Sequence, residues 1–141
     1  MTPISQELVE IFKIKVGKSL NHLRYSFAKI QTLSTDPKLL HEDQLETWES
    51  FASRFARASD LFTTKLLRAL ILADDPGFTG SFRDILDRSE KLGLICSADE
   101  WMKIRALRNV SVHEYSDTDL SLIFAQLREL TPTILACERL L

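Results

Sequence analysis

The fold is decided by residues 45–70, which read LETWESFASRFARASDLFTTKLLRAL. Large apolar side chains recur there at intervals of three, four or seven residues: Leu45, Trp48, Phe51, Phe55, Phe62, Leu66 and Leu70. Since a helix completes one turn every 3.6 residues, these side chains form one stripe of an amphipathic helix. An aromatic stripe at this spacing is typical of a packed core rather than of a cofactor site. The sequence therefore predicts a long helix that reaches about Ala73, before the stop at Asp74-Asp75-Pro76-Gly77.

A second amphipathic stripe precedes this helix, between about Ile4 and Leu33. Its apolar members are Leu8, Ile11, Phe12, Val16, Leu20, Leu23, Phe27 and Ile30. The run from Ser34 to Pro37 breaks the pattern, because Asp36 suits a helix N-cap and Pro37 the first helical position. The core-forming helix therefore begins at Pro37 or a few residues later.

Three further helices follow, the first of them shorter, and each is predicted by its caps. The expected caps are Ser81 with Asp84, Ser97 with Glu100, and Ser116 or Asp117, while Gly93 is expected to end the first of the three. The side chains expected to face inward are Phe82, Ile85, Leu86, Leu92, Trp101, Ile104, Leu107, Leu120, Ile123, Phe124, Leu127 and Leu130. Pro132 is expected to kink the last helix rather than end it, because apolar spacing resumes after it. Long helices with short connections pack antiparallel, so we predict an all-α, up-and-down bundle of about five helices, in a single domain over residues 1–141.

The composition limits the cellular compartments and the kinds of binding partner that are expected for this protein. The chain of 141 residues has 18 Lys and Arg against 20 Asp and Glu, so its formal net charge is −2. A general electrostatic binder of nucleic acid is strongly basic, so any such affinity here must be local. Cys96 and Cys137 have no metal-ligand spacing and are interpreted as small buried side chains in a reducing compartment. With no targeting or membrane segment visible, we expect a cytoplasmic protein with no metal, no cofactor and no membrane partner.

The stretch from Ile104 to Tyr115 is poorly explained by packing, since it concentrates two Arg, an Asn, a Ser, a His and a Tyr. On a continuous helix, five residues separate Arg108 from His113 by about 140°. The two side chains converge if the helix ends near Val112, or if two copies of the chain supply one residue each. A guanidinium binds phosphate through two parallel hydrogen bonds, and an imidazole exchanges protons near neutral pH. With the ribose 2′-hydroxyl as nucleophile, the pair suits RNA cleavage without a metal ion.

The same residues also have structural interpretations. His113 suits a helix C-terminus, where the macrodipole favours a cation, and Tyr115 suits the edge of a core with its hydroxyl in water. Arg108 can form a surface ion pair with Glu114 or Asp117, contributing roughly 0–1 kcal/mol. Four basic residues of the long helix are interpreted as its solvated face, with a role facing RNA left open: Arg54, Arg57, Lys65 and Arg68.

The run from Arg108 to His113, RNVSVH, resembles the R-x4–6-H motif of HEPN domains. Extended to Tyr115, it reads R-x4-H-x-Y and resembles the HEPN toxins that are paired with minimal nucleotidyltransferase antitoxins, the nucleotidyltransferase substrate-binding branch of the family. The upstream run KLGLI at residues 91–95, followed by Glu100 and Trp101, is similar to a sequence motif of that branch. The residue pattern resembles that of the family from about Phe51 to Leu130. The number of predicted helices resembles it over the whole chain.

The resemblance implies a homodimer in which two such motifs meet and form a metal-independent endoribonuclease, with RNA as substrate. It implies that His113 is the acid and base, that Arg108 binds the scissile phosphate, and that Asn109 orients the pair. Tyr115 matches a tyrosine that the cognate antitoxin adenylylates, and Asp60 is the candidate for an acidic residue facing the motif from the second helix. Arg105, one turn before Arg108, either widens a basic patch for RNA or lies on a solvated face. Some relatives are non-catalytic nucleotide- or substrate-binding partners of the transferase, and this remains the alternative function.

Overall fold

The computed structural model describes residues 3–108 and 114–141, and the regular elements in these ranges are all helical. The α-helices are α1 (Pro3–Ile30), α2 (Glu42–Asp60), α3 (Arg68–Asp74), α4 (Phe82–Lys91), α5 (Ala98–Ala106) and α6 (Asp117–Leu135). A π-helical segment at Leu61–Leu67 joins α2 to α3, and 3-10 turns lie at Pro37–Leu39 and Ala136–Leu140. Because Leu61 and Arg68 have right-handed helical φ and ψ, α2, the π segment and α3 form one continuous rod. The described chain therefore contains five helical rods, which confirms the predicted all-α bundle; the assignment of residues 1–141 to one domain stays a prediction.

The core lies between α1, the α2–α3 rod and α6, and Trp48 is at its centre. The Trp48 indole stacks on Phe124 of α6 with ring centroids 4.4 Å apart, and meets Phe51 edge-on at 5.7 Å. Its Nε1 donates a hydrogen bond of 3.0 Å to the Ser34 carbonyl, which ties the connection after α1 to the core. Phe62 packs against Trp101 with centroids 4.9 Å apart and so links the rod to α5. The predicted aromatic stripe is thus confirmed as core.

Three apolar side chains that were expected to face inward are exposed. Leu8 and Ile11 are nearly half exposed, while Val9 is buried in their place. The prediction was wrong here because the apolar stripe of α1 is wider than the area that the neighbouring helices cover. Leu8, for example, borders an open groove along α3. Leu92 is exposed because it is the C-cap of α4, where the helical turn has ended.

The caps of α4 and α6 form as predicted. The Ser81 side chain accepts from the backbone amide of Asp84, and the Asp84 carboxylate accepts from the Ser81 amide at 2.8 Å. Gly93 follows the helix with φ +76°, a conformation that glycine adopts readily. Ser116 caps α6 by accepting from the amide of Asp119 at 3.2 Å. Asp36 caps only the short turn at Pro37–Leu39, so the long helix takes the later of the two predicted starts.

The cap of α5 is only half of the predicted capping box. Ser97 accepts from the Glu100 amide at 3.1 Å, but the Glu100 carboxylate instead accepts from the Thr133 hydroxyl of α6. Glu90 of α4 binds the free amide of Ala98 at 2.6 Å. The Glu100 carboxylate therefore does not complete the capping box, and a carboxylate from a neighbouring helix binds a different free amide at this helix end.

The two cysteines lie in different environments, and the expectation that both are buried is wrong for Cys96. Cys96 is exposed in the connection between α4 and α5, whereas Cys137 is buried beyond α6. Burial raises the pKa of the Cys137 thiol to about 12, so it stays protonated at neutral pH.

We therefore expect a thiol reagent at pH 8 to label one cysteine per folded chain, and two after denaturation in urea. Thiolate is the reactive form; Cys96 is exposed, whereas burial keeps the Cys137 thiol protonated and inaccessible. A colorimetric thiol count before and after denaturation checks this. Rapid labelling of two thiols in the folded protein would contradict the burial of Cys137, and Cys96→Ser should remove the native signal.

The segment Asp117–Leu140 contains an 18-residue window with a mean hydropathy of 1.2, long and apolar enough to cross a membrane by length and composition alone. A third of this window is buried, and its side chains Phe124, Leu127 and Ile134 are fully buried against the bundle. The helix continues through Pro132, as predicted. Location in the cytoplasm, and a kink at this proline, stay predictions.

Candidate functional site

The candidate site surrounds the C-terminal end of α5. Trp101 and Ile104 anchor one face of this helix in the core, and the last helical residue is Ala106. The Arg108 amide then donates to the Arg105 carbonyl at 3.2 Å, which closes a tight turn. Because the chain leaves the helix before Arg108, the 140° separation expected on a continuous helix does not apply to it. This helix end is earlier than the one near Val112 that was considered as a condition for the two side chains to converge.

Arg108 contacts Asp60, the last residue of α2, across 48 positions of sequence. The distance from Nη1 of Arg108 to Oδ1 of Asp60 is 3.4 Å. The two side chains are 29% and 43% exposed, so the pair is open to solvent. Within residues 3–108 and 114–141, the ion pair that Arg108 forms is with Asp60 and not with Glu114 or Asp117. The structure thus brings the Arg108 guanidinium into contact with Asp60, the candidate that the resemblance gave for an acidic residue facing the motif; the roles of both in catalysis stay predictions.

Asp60 stands where the rod changes its helical geometry, a change that the helical periodicity of the sequence does not predict. The π segment begins at the next residue. The hydroxyl of Thr63 donates to the Ser59 carbonyl at 2.8 Å, and that of Thr64 to the Asp60 carbonyl at 2.6 Å. These bonds satisfy backbone acceptors at the junction, where a wider turn alters the usual hydrogen-bonding pattern. The sequence feature that could have indicated this change of geometry is the pair of adjacent threonines, Thr63 and Thr64, in a largely apolar stretch of the helix.

Arg105 does not lie in open solvent. Its guanidinium carbon is 3.7 Å from the centroid of the Phe82 ring, and its Nη1 atom is buried with no hydrogen-bond partner among the described residues. A cation–π contact of this kind stabilises the packing of α5 against α4. Its predicted role in binding RNA has no support from this arrangement and stays a prediction.

The remaining predicted site residues divide into two groups. Tyr115 is described and exposed, two residues before α6 begins. Asn109 and His113 lie outside the described residues, so their predicted roles rest on the sequence alone. Among the residues that are described, no group of three or more His, Cys, Asp or Glu side chains is placed to hold a metal ion.

The chain was compared with known proteins. The family model described as "Ribonuclease HepT-like" matches residues 79–138. The matched segment spans α4, α5, the stretch with Arg108 and Tyr115, and α6; it leaves out α1 and the rod that carries Asp60. Neither the search of curated proteins nor that of solved structures returns a match. Over residues 79–138 this chain is therefore similar to the HepT-like ribonucleases, which supports the resemblance to the HEPN family in that part of the chain.

Proposed function

We propose that this protein is a metal-independent endoribonuclease, active as a homodimer, and that it is the toxin of a toxin–antitoxin pair. The observation that carries the proposal is the position of Arg108: its side chain is partly exposed, lies just past the end of α5 and is held by Asp60. It stands five residues before His113 within the segment that matches HepT-like ribonucleases. A solvent-facing guanidinium followed closely by an imidazole is the pair of groups that phosphodiester cleavage requires.

The chemistry uses the nucleophile that RNA itself contains. The ribose 2′-oxygen attacks the adjacent phosphorus, while one His113 takes the 2′-hydroxyl proton as general base. The bond from phosphorus to the 5′-oxygen breaks, and His113 of a second subunit gives that oxygen a proton. The products are a 2′,3′-cyclic phosphate and a 5′-hydroxyl end. Arg108 neutralises the charge that builds up on the non-bridging oxygens, and Asn109 orients the pair.

Asp60 positions Arg108 in this proposal. The recorded hydrogen bond uses one N–H of the five that a guanidinium carries, which leaves donors for phosphate. The carboxylate also limits the directions in which the flexible side chain points. A positioning contact of this type affects the reaction more than it affects stability, because exposed ion pairs contribute little to folding.

Asp60→Asn is accordingly expected to lower the rate of RNA cleavage several-fold while changing the free energy of unfolding by less than about 1 kcal/mol. Cleavage of a labelled RNA and urea denaturation measure the two effects. Asp74→Asn is the matched control, since Asp74 is exposed at the end of the same rod and lies far along it from Asp60. Equal rates for the Asp60 and Asp74 variants would show that the carboxylate does not position Arg108.

A nucleotidyltransferase antitoxin provides the proposed control of this site. The Tyr115 phenol oxygen attacks the α-phosphorus of ATP, loses its proton and displaces pyrophosphate, which leaves an AMP group on the ring. The exposed position of Tyr115 fits such access, and bulk and negative charge added to the segment that carries Arg108 and His113 would exclude RNA.

The chain has two tyrosines, and both are exposed, which gives a matched control. After incubation with the antitoxin and ATP, mass spectrometry is expected to show AMP on Tyr115. Tyr115→Phe should abolish the modification and Tyr25→Phe should leave it intact. Modification that persists in Tyr115→Phe would refute this assignment.

Incubation of the purified protein with RNA in EDTA tests the ribonuclease proposal as a whole. We expect cleavage by the wild type and none by His113→Ala. If the wild type binds nucleotide in calorimetry but leaves RNA intact, the protein is instead the alternative, a non-catalytic nucleotide-binding partner of the transferase.

A further inference from the structure

We propose that the exposed surface around Tyr25, where α1 packs against α2, binds single-stranded RNA outside the cleavage site. A base stacks on the Tyr25 ring, and the neighbouring phosphates bind Lys29 and Arg54. The choice of RNA as the polymer rests on the proposed function; the existence of the site rests on the charges and contacts described below.

Charge is distributed unevenly along this acidic chain. Residues 11–35 contain five basic side chains and no Asp or Glu, although the whole chain has a net charge of −2. Five exposed residues of α1 follow one another at intervals of three or four: Lys15, Lys18, His22, Tyr25 and Lys29. Since this spacing places them on one face of the helix, α1 presents a basic stripe with an aromatic ring in it.

Arg54 of α2 brings a further cation to the ring. Its Nη1 donates to the Ser26 hydroxyl at 2.8 Å and to the His22 carbonyl at 3.2 Å, which fixes it across the contact between the helices. The Arg54 guanidinium carbon and the Lys29 ammonium lie 5.9 Å and 5.5 Å from the centroid of the Tyr25 ring. These distances are near the outer limit of a cation–π contact, so the ring is flanked rather than covered, and Tyr25 is 63% exposed.

The side chains around Tyr25 enclose a shallow concavity of about 180 Å³. The hydroxyl-bearing residues Thr47 and Ser50 line it together with Lys29 and Arg54. Glu46 lines it too, yet among the described side chains it forms no ion pair with either cation. Cations and hydroxyls around an exposed ring are the groups that bind a sugar–phosphate chain beside a stacked base.

The basic surface continues along the rod. Arg57, Lys65 and Arg68 are exposed, and none of the ion pairs found in the described ranges involves them. Arg57 lies midway in sequence between Arg54 and Asp60. Each of these three-residue steps turns about 60° around the helix and advances about 4.5 Å. The surface thus winds from Tyr25 toward the pair of Asp60 with Arg108, so a strand bound at Tyr25 extends in the direction of the proposed cleavage site.

The exposed ring favours nucleic acid over an acidic protein or an anionic membrane. Cations alone suffice to attract the latter two partners, which need no planar group to stack on the ring. Every RNA base has a π-face that stacks on tyrosine regardless of sequence. Dependence of binding on the ring therefore supports RNA, and direct comparison with an acidic peptide and with anionic vesicles distinguishes the three partners.

Fluorescence anisotropy with a labelled single-stranded RNA in EDTA, on the Arg108→Ala background, measures binding without cleavage. We expect Tyr25→Ala to weaken binding by about five- to a hundredfold, and Tyr25→Phe to retain it. Lys29→Gln should weaken binding and lower the slope of log K against log salt by about 0.7. Lys91→Gln is the matched control, because Lys91 is an exposed lysine at the end of α4.

Three results would overturn the proposal. Binding that is equal in all variants would exclude the site, and binding that depends on Lys29 but not on the ring would exclude the stacked base. Tighter binding of a polyglutamate peptide or of phosphatidylserine vesicles, with the same loss in Lys29→Gln, would assign the surface to another partner. Failure of wild-type protein to cleave RNA is a separate result, which bears on the proposed function and leaves the binding measurement valid.

Discussion

Arg108→Ala is expected to lower the rate of RNA cleavage at least about a hundredfold, because it removes the charge that stabilises the phosphorane. Arg108→Lys should recover part of this loss, since an ammonium keeps the charge but lacks the fork of parallel donors. Single-turnover cleavage of a labelled RNA in EDTA gives the rates. The free energy of unfolding should change by less than about 1 kcal/mol, since the ion pair with Asp60 is open to solvent.

Arg88 provides the matched control. It pairs with Asp75 at 3.4 Å with side chains 35% and 46% exposed, values close to those of the pair formed by Arg108 and Asp60. Arg88→Ala is therefore expected to have a similar effect on stability and none on cleavage. Equal cleavage by the Arg88 and Arg108 variants would remove Arg108 from the proposed chemistry.

Trp48→Ala is expected to have the largest effect on stability, a loss of about 3–5 kcal/mol in the free energy of unfolding. Trp48 is fully buried, and its removal abolishes the stack on Phe124, the edge contact with Phe51 and the hydrogen bond to the Ser34 carbonyl. A large cavity remains between α2 and α6. Since a domain of this size is stable by only about 5–15 kcal/mol, the variant should be partly unfolded at moderate temperature.

Urea denaturation followed by far-UV circular dichroism measures this loss. Leu122→Ala is the control, because Leu122 is an exposed apolar residue of α6 and its truncation should cost less than about 0.5 kcal/mol. A loss below about 1 kcal/mol for Trp48→Ala would contradict the central position of this side chain in the core.

Helical periodicity made most of the fold predictable from sequence. The spacing of Trp48, Phe51 and Phe55 specifies both the helix and its buried face, and the caps at Ser81 and Ser116 follow from local hydrogen bonds. Periodicity does not show how much of an apolar stripe the neighbouring helices cover. Leu8 and Ile11 were therefore expected to face inward, although both are exposed. Likewise, the burial of Cys96 was mispredicted because the residue type does not show how the connection between α4 and α5 packs.

The contacts of the candidate site depend on tertiary structure. The sequence marked Arg108 and Asp60 by residue type and by resemblance, but the 3.4 Å contact between them exists because α5 packs against the rod. The bonds of Glu90 to the Ala98 amide and of Glu100 to Thr133 have the same origin, since each joins residues of different helices. The π-helical segment after Asp60 could not be predicted either, because a pattern of 3.6 residues per turn describes only a regular α-helix.

Cleavage of a DNA oligonucleotide that contains one ribonucleotide tests the central claim most directly, because a single 2′-hydroxyl is then available. In EDTA, the wild-type protein is predicted to cut only the bond that follows the ribonucleotide. Mass spectrometry should find a 2′,3′-cyclic phosphate on one product and a 5′-hydroxyl on the other, and His113→Ala should give neither. Cuts at deoxynucleotide positions, or undiminished cutting by His113→Ala, would contradict a reaction driven by the 2′-hydroxyl, Arg108 and His113.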